Sequence, residues 1–216
     1  MAKKNYKVSI KLLALLLLYL AFIPEVNLAE AANEKVVTID GIAGLASLVD
    51  YVPPVPSSYL FNAIDSDWRT TLEETLGPVQ PFPWSGSAYD TSVVVERLYT
   101  SLKAISDQNK LTNAPLVILS HSWGTVLTYI VLHNHPEIIV DKLITMGSPL
   151  ESIFPGVNTV TYPVLVSQGI FTVDTLPNIK IWHNYWASCD QVSASISAAM
   201  NHKSELSGLF CQWRIF

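Results

Sequence analysis

Ser120-His121-Ser122-Trp123-Gly124 offers a hydroxyl nucleophile with small residues two positions before and two after it. A sharp turn from strand into helix lifts such a side chain clear of the backbone. The helix N-terminus then favours the negative charge that builds up in acyl transfer. The turn also brings the strand and helix backbones close together, a steric condition that Ser120 and Gly124 meet. As bare text the pattern is weak; its value lies in the apolar runs on either side, which make Ser122 the candidate nucleophile. A Ser hydroxyl needs a base, and the chain has five imidazoles: His121, His133, His135, His183 and His202. Metal chemistry is poorly supplied. His133 and His135 are two apart and do not share a helix face, and Pro136 interrupts the segment before Glu137, so no metal site is expected. There is no glycine-rich nucleotide loop, and no cofactor is expected. Trp182, Tyr185 and Trp186 read as core and loop packing.

The elements that must position Ser122 follow from the order of apolar runs. Leu116-Val117-Ile118-Leu119 lies between Pro115 and the Ser-His-Ser turn, and Gly124 to His133 reads as a mostly apolar helix, so strand, turn and helix follow without a linker. Lys35-Val36-Val37-Thr38-Ile39 is β-branched and ends at Asp40-Gly41, a buried strand entering a tight turn. Lys142 to Met146 repeats the strand signal and stops at Gly147-Ser148-Pro149. Ile179 to Tyr185 is a further, more aromatic strand. Asp90 or Thr91 can cap a helix whose Val94, Leu98, Leu102 and Ile105 share one face. Pro53, Pro54 and Pro56 exclude regular helix there, and Phe82-Pro83-Trp84-Ser85-Gly86 reads as a loop or sheet edge. Apolar strands alternating with helices predict a mainly parallel sheet covered on both faces. This is an α/β fold with its ligand site at the strands' carboxyl ends.

Composition narrows the class. The 216 residues are 50% hydrophobic and 14% charged, with a net charge of −5, which excludes a disordered polar chain and a basic nucleic-acid binder. Lys3, Lys4, Lys7 and Lys11 precede the apolar run Leu12 to Ile23, which Pro24 ends and Ala29-Glu30-Ala31 follows, the layout of a secretory signal peptide. A helix of that run rises about 18 Å against a hydrocarbon core of roughly 30 Å, so no stable membrane span is expected after cleavage. Residues 1–31 are thus expected to be a leader and residues 32–216 a single domain. The product would be secreted or held in the periplasm or cell envelope. Cys189 and Cys211 then meet an oxidising compartment, where a disulfide and two free thiols both stay open.

At the Ser122 elbow the chain resembles the α/β-hydrolase superfamily, in its lipase and esterase-like branch. Ile39-Asp40-Gly41-Ile42, Trp84-Ser85-Gly86, Met146-Gly147-Ser148-Pro149 and Trp182 to Asp190 fall in the order such enzymes show, and the likeness spans about residues 35 to 195. It implies a three-layer fold. It also implies an oxyanion hole made by the backbone N–H groups of Ile42 and Trp123, with Asp40 standing where the family usually has His. The acid and then the base follow the nucleophile in this fold. Asp190-Gln191-Val192 resembles the turn where lipase-like members place the acid, with Asp174 as competitor. Among the histidines only His202 follows Asp190, so it is expected to be the base. The tail from Gly208 to Phe216 is short of the closing helix the family carries, so a reduced or C-terminally truncated version is expected. A Cys189–Cys211 bond would close a loop holding both Asp190 and His202.

These residues point to an exported serine hydrolase that cleaves carboxylic esters through an acyl-enzyme. Its substrate is expected to be an apolar or lipid-like ester, because Ser152 to Leu176 supplies an apolar cap segment. Two rivals remain: an acyltransferase on the same triad, and an inactive hydrolase-like binding protein of the cell envelope.

Overall fold

A computed structural model describes residues 35–41, 73–74, 77–84, 86–187, 190 and 192–204. The expected leader, Ile42, Cys189 and Cys211 lie outside the described residues, and so do the oxyanion and disulfide assignments that depend on them.

The described residues hold six strands: β1 (Lys35–Ile39), β2 (Val79–Pro81), β3 (Leu116–His121), β4 (Val140–Met146), β5 (Ile179–Ala187) and β6 (Met200–Ser204). They form one sheet in the order β2-β1-β3-β4-β5-β6, and every pairing is parallel. The helices are α1 (Thr91–Thr112), α2 (Trp123–Asn134) and α3 (Pro155–Ser167). A parallel sheet flanked by helices is an α/β fold, as the alternation of runs predicts. No helix of the described residues is long and apolar enough to cross a membrane.

The expectation of strands buried on both faces holds best at the centre. Leu116, Val117, Ile118 and Leu119 are all buried, because a central parallel strand is covered from both sides. On one face Ile118, Leu143 and Trp182 join the cluster that α1, α2 and α3 complete. The other face gathers Val36, Val117, Leu119 and Ile144, with Met146 and Tyr185 beside them. In α2, every residue from Trp123 to Leu132 is buried, so this helix is packed all round.

Several local readings are refined. Asp90 occupies the N-cap position of α1 without a side-chain cap bond; the Thr91 hydroxyl instead donates to the Ala88 carbonyl. α1 buries the expected Val94, Leu98, Leu102 and Ile105 and ends at Asn113, whose φ of 54° is a left-handed cap. β2 is an edge strand, the position that tolerates Pro81. The apolar segment after β4 contains α3, begun by Pro155 in its first turn. Its helix buries only Thr161 and Leu165, leaving Ile153, Phe154, Tyr162 and Phe171 exposed.

Candidate active site

Ser122 links the end of β3 to the start of α2 with φ 49° and ψ −123°, a backbone conformation that costs a non-glycine residue about 1–3 kcal/mol. The surroundings hold it there. Ser122 N–H donates to the Met146 carbonyl at 2.9 Å, and its own carbonyl accepts from Thr125 N–H at 3.0 Å and from the Thr125 hydroxyl at 2.7 Å. That hydroxyl also meets Ser148 Oγ at 2.7 Å in a buried bond. Gly147-Ser148-Pro149 is therefore the latch of the turn as well as a strand terminator.

The steric reason for Gly124 is visible. A Cβ there would sit 2.5 Å from the Asp40 carbonyl oxygen, and closer still to that of Ile39. Ser120, the other small residue, is fully buried. Gly41 presses on Ser122 itself: a Cβ on it would lie 2.7 Å from Ser122 Cβ and 3.1 Å from Oγ. The Trp84 indole N–H donates to the Asp40 carbonyl at 3.2 Å, pinning this end of β1. Trp123 opens α2, where a backbone N–H has no intrahelical partner. Its indole N–H is anchored on Thr91 Oγ1 at 3.1 Å.

Asp190 lies just past β5. Its N–H donates to the Ala187 carbonyl, and its Oδ1 accepts the Val192 N–H at 2.9 Å, which is a local Asx turn. Its second oxygen, Oδ2, is directed back to the strand ends, 3.8 Å from where a Gly147 Cβ would sit. Asp174 is elsewhere. Tyr129 OH is bonded to its backbone N–H and carbonyl, and Thr172 donates to its carboxylate. Tyr129 is seven residues along α2 from Ser122, about 10 Å by helix rise, so the structure brings Asp190, and not Asp174, to the end of the sheet that carries Ser122.

His202 is not brought there. Residues 200–204 pair in register with β5 as strand β6, so that His121, Met146, Tyr185 and His202 form one row across four strands. Three strand spacings, roughly 14 Å, separate His202 from the end of β3. Its imidazole is occupied: Nε2 lies 2.8 Å from His183 Nδ1, and the ring stacks on Tyr185 with centroids 4.5 Å apart. Burial holds His183 below the ordinary imidazole range, and His202 and Lys142 lower it further.

The imidazole that does stand at the elbow is His121. Its Nδ1 would be 3.3 Å from a Gly41 Cβ, and its Nε2 3.5 Å from a Gly147 Cβ. Nδ1 is shut off from solvent and has no hydrogen-bond partner among the described residues. Burial pushes the imidazole down to about 4, partly opposed by the Asp190 carboxylate. Chain order had set this residue aside. The signal that would have found it is the end of β3, where a strand's last side chain faces the carboxyl-edge loops.

A network that the sequence reading missed secures the Asp190 loop. Asn184, fully buried in β5, accepts from the Thr145 hydroxyl and donates to the Ala194 carbonyl and to Asn201 Oδ1. Asn201 in turn holds Ile196 by its N–H and its carbonyl. Glu151 accepts from the Ser197 N–H and hydroxyl. Among the described residues, no group of three or more His, Cys, Asp or Glu is placed to hold a metal ion.

Comparison with protein-family models finds no match, and none is found with curated proteins. Among solved structures, the chain is similar to the Bacillus licheniformis lipase BlEst2 in mature form at 13% identity, with a TM-score of 0.40. The alignment covers 71% of this chain and 65% of the lipase.

Proposed function

We propose that this chain is a serine hydrolase of carboxylic esters, with Ser122 as nucleophile, Asp190 as acid partner and the Trp123 N–H as one oxyanion donor. The observation that carries the reading is the Ser122 backbone, held at φ 49° and ψ −123° between β3 and α2 with Gly124 wedged against β1. A protein keeps such a conformation when a side chain must be presented there. Ser122 is half-buried, so a substrate can reach it. The attack forms an Oγ–C bond, and the carbonyl π pair moves onto the oxygen facing the N-terminus of α2. Collapse expels the alcohol, and water then releases the acid. The exposed Ile153, Phe154 and Phe171 support an apolar or lipid-like acyl substrate, and the lysine-led apolar run before Ala31 supports export.

One observation favours a second reading. With His202 on β6 bonded to His183, the histidine that chain order assigns as base stands away from Ser122, as in a hydrolase-like binding protein of the cell envelope. A fluorophosphonate probe separates the two. Labelling of the wild type and its loss in Ser122→Ala support the hydrolase. An unlabelled wild type, or ester hydrolysis undiminished in Ser122→Ala, overturns it, since loss of the nucleophile costs about 10⁶-fold in kcat.

A further inference from the structure

We propose that His183 and His202 form a two-imidazole site for a borderline divalent metal ion such as Zn²⁺, with water completing its coordination and the ion fastening β6 to β5. The two rings already aim one nitrogen each at a shared position. His183 Nδ1 and His202 Nε2 lie 2.8 Å apart, so a single proton sits between two lone-pair directions. Two nitrogens that bind a tetrahedral ion at about 2.0–2.1 Å stand roughly 3.3–3.4 Å from each other. The pair therefore needs to open by only about half an ångström to ligate. The ring that donates moves its proton to its other nitrogen through water, and both rings then ligate in the neutral form. Imidazole nitrogens suit Zn²⁺, Cu²⁺ and Ni²⁺, whereas hard cations prefer oxygen.

The sheet holds the rings in place. Tyr185 pairs in register with His202 and stacks on its ring at 4.5 Å and 15°, while the His183 ring lies 6.4 Å from the same phenol. Both imidazoles are half-buried, and Ile181 and Met200 beside them are exposed, so an ion and its water can enter. Five register pairs already join β5 to β6. A Thr or Asn contact would add a bond that holds at any pH; ligation is the chemistry that imidazoles bring instead. Burial first, then His202 and Lys142, hold His183 below the ordinary imidazole range, which keeps the ring in the state that ligates. The Lys142 charge also opposes a cation, so the site is reversible. Its reach extends along the strand. His202 follows Asn201, whose Oδ1 accepts from Asn184 and from the Ile196 N–H, so an ion that fastens β6 also steadies the stretch leading back to Asp190.

The test is isothermal titration of Zn²⁺ into the full chain, with circular dichroism to check folding. It compares the wild type with His183→Gln, His202→Gln, Lys142→Gln, and His133→Gln with His135→Gln together, which removes the chain's other close histidine pair. One ion per chain is expected in the wild type and in the double variant. Either change at the site weakens binding at least about tenfold, since even an outer-shell partner of a metal is worth about 10–100-fold. Lys142→Gln tightens it roughly two- to fivefold at low salt by removing a like charge. Zn²⁺ at about a hundred times Kd raises the wild-type Tm by roughly 5–11 °C. No binding to the wild type overturns the proposal, as does unchanged binding in folded His183→Gln or His202→Gln. Where those two fail to fold, the remaining variants decide. Tighter binding in Lys142→Gln with the ion kept in the double variant supports the site; unchanged affinity in the first, or loss in the second, overturns it. All of this is read without ester turnover, so failure here leaves the hydrolase reading standing, and failure of that reading leaves this site standing.

Discussion

Gly124→Ala tests whether the elbow depends on close contact between α2 and β1. The added Cβ would lie 2.5 Å from the Asp40 carbonyl oxygen and closer still to that of Ile39, inside any van der Waals limit. Both obstacles are backbone. The Ile39 end of β1 is fixed by its pairing with Ser120, and Asp40 by the Trp84 indole. The helix must therefore move, and Ser122 with it. Overpacking of this kind costs typically 1–3 kcal/mol; the better helix propensity of Ala returns about 1 kcal/mol. A net loss of up to roughly 2 kcal/mol lowers Tm by up to about 8 °C in a chain of this size. Activity should fall more steeply, because a displacement of about 1 Å at a reacting group can cost about 10²-fold. Gly169→Ala is the control: its φ is +76° with nothing within 4 Å of the added Cβ. It should lose about 1–2 kcal/mol from left-handed strain and keep its kcat. The assay is ester hydrolysis at saturating substrate beside a thermal melt. Wild-type kcat in Gly124→Ala, or an equal loss of kcat in Gly169→Ala, would refute the reasoning.

Acid stability follows from His121. Its pKa is about 4 folded against about 6.5 unfolded, so between those values the unfolded chain binds the extra proton and stability falls as pH drops. The loss is complete near pH 4 and amounts to about 3 kcal/mol, a fall of roughly 6–12 °C in Tm; a melt series from pH 7 to 4 should show it, and His121→Gln should flatten it. Asn184→Ala should destabilise by about 1–3 kcal/mol, since it removes a buried bond to Thr145 and leaves the Ala194 carbonyl without its donor. Because those partners include the loop that carries Asp190, kcat should fall with KM little changed, and an unaltered kcat in a folded variant would remove the network from the site.

The strain at Ser122 persists because it is over-determined. Its N–H and carbonyl are bonded on opposite sides, to β4 and to the first turn of α2. Relaxing the turn would break the buried Thr125–Ser148 bond and shift a helix that is packed along its whole first ten residues. Each of these costs about as much as the strain itself. Packing thus holds Ser122 in place even where no substrate contact helps.

What could be read in the chain divides along the range of the forces involved. β1, β3, α1, α2 and the elbow are legible because their cause is local: β-branched runs, a helical period, a glycine at the one place where two backbones touch. The turn at Asp190 has a local cause as well, since its carboxylate accepts the N–H of Val192. β6 was not. Met200-Asn201-His202-Lys203-Ser204 has no apolar run, and what draws it into the sheet is non-local: register with β5, the Tyr185 ring under His202 and the Asn184–Asn201 bond. An order rule that counts only which histidine comes after the acid assumes that the chain there is free to loop back over the nucleophile. Once those contacts commit residues 200–204 to a strand three places from β3, the ring is spoken for by His183. The imidazole nearest Ser122 is then the one that the order rule discards first.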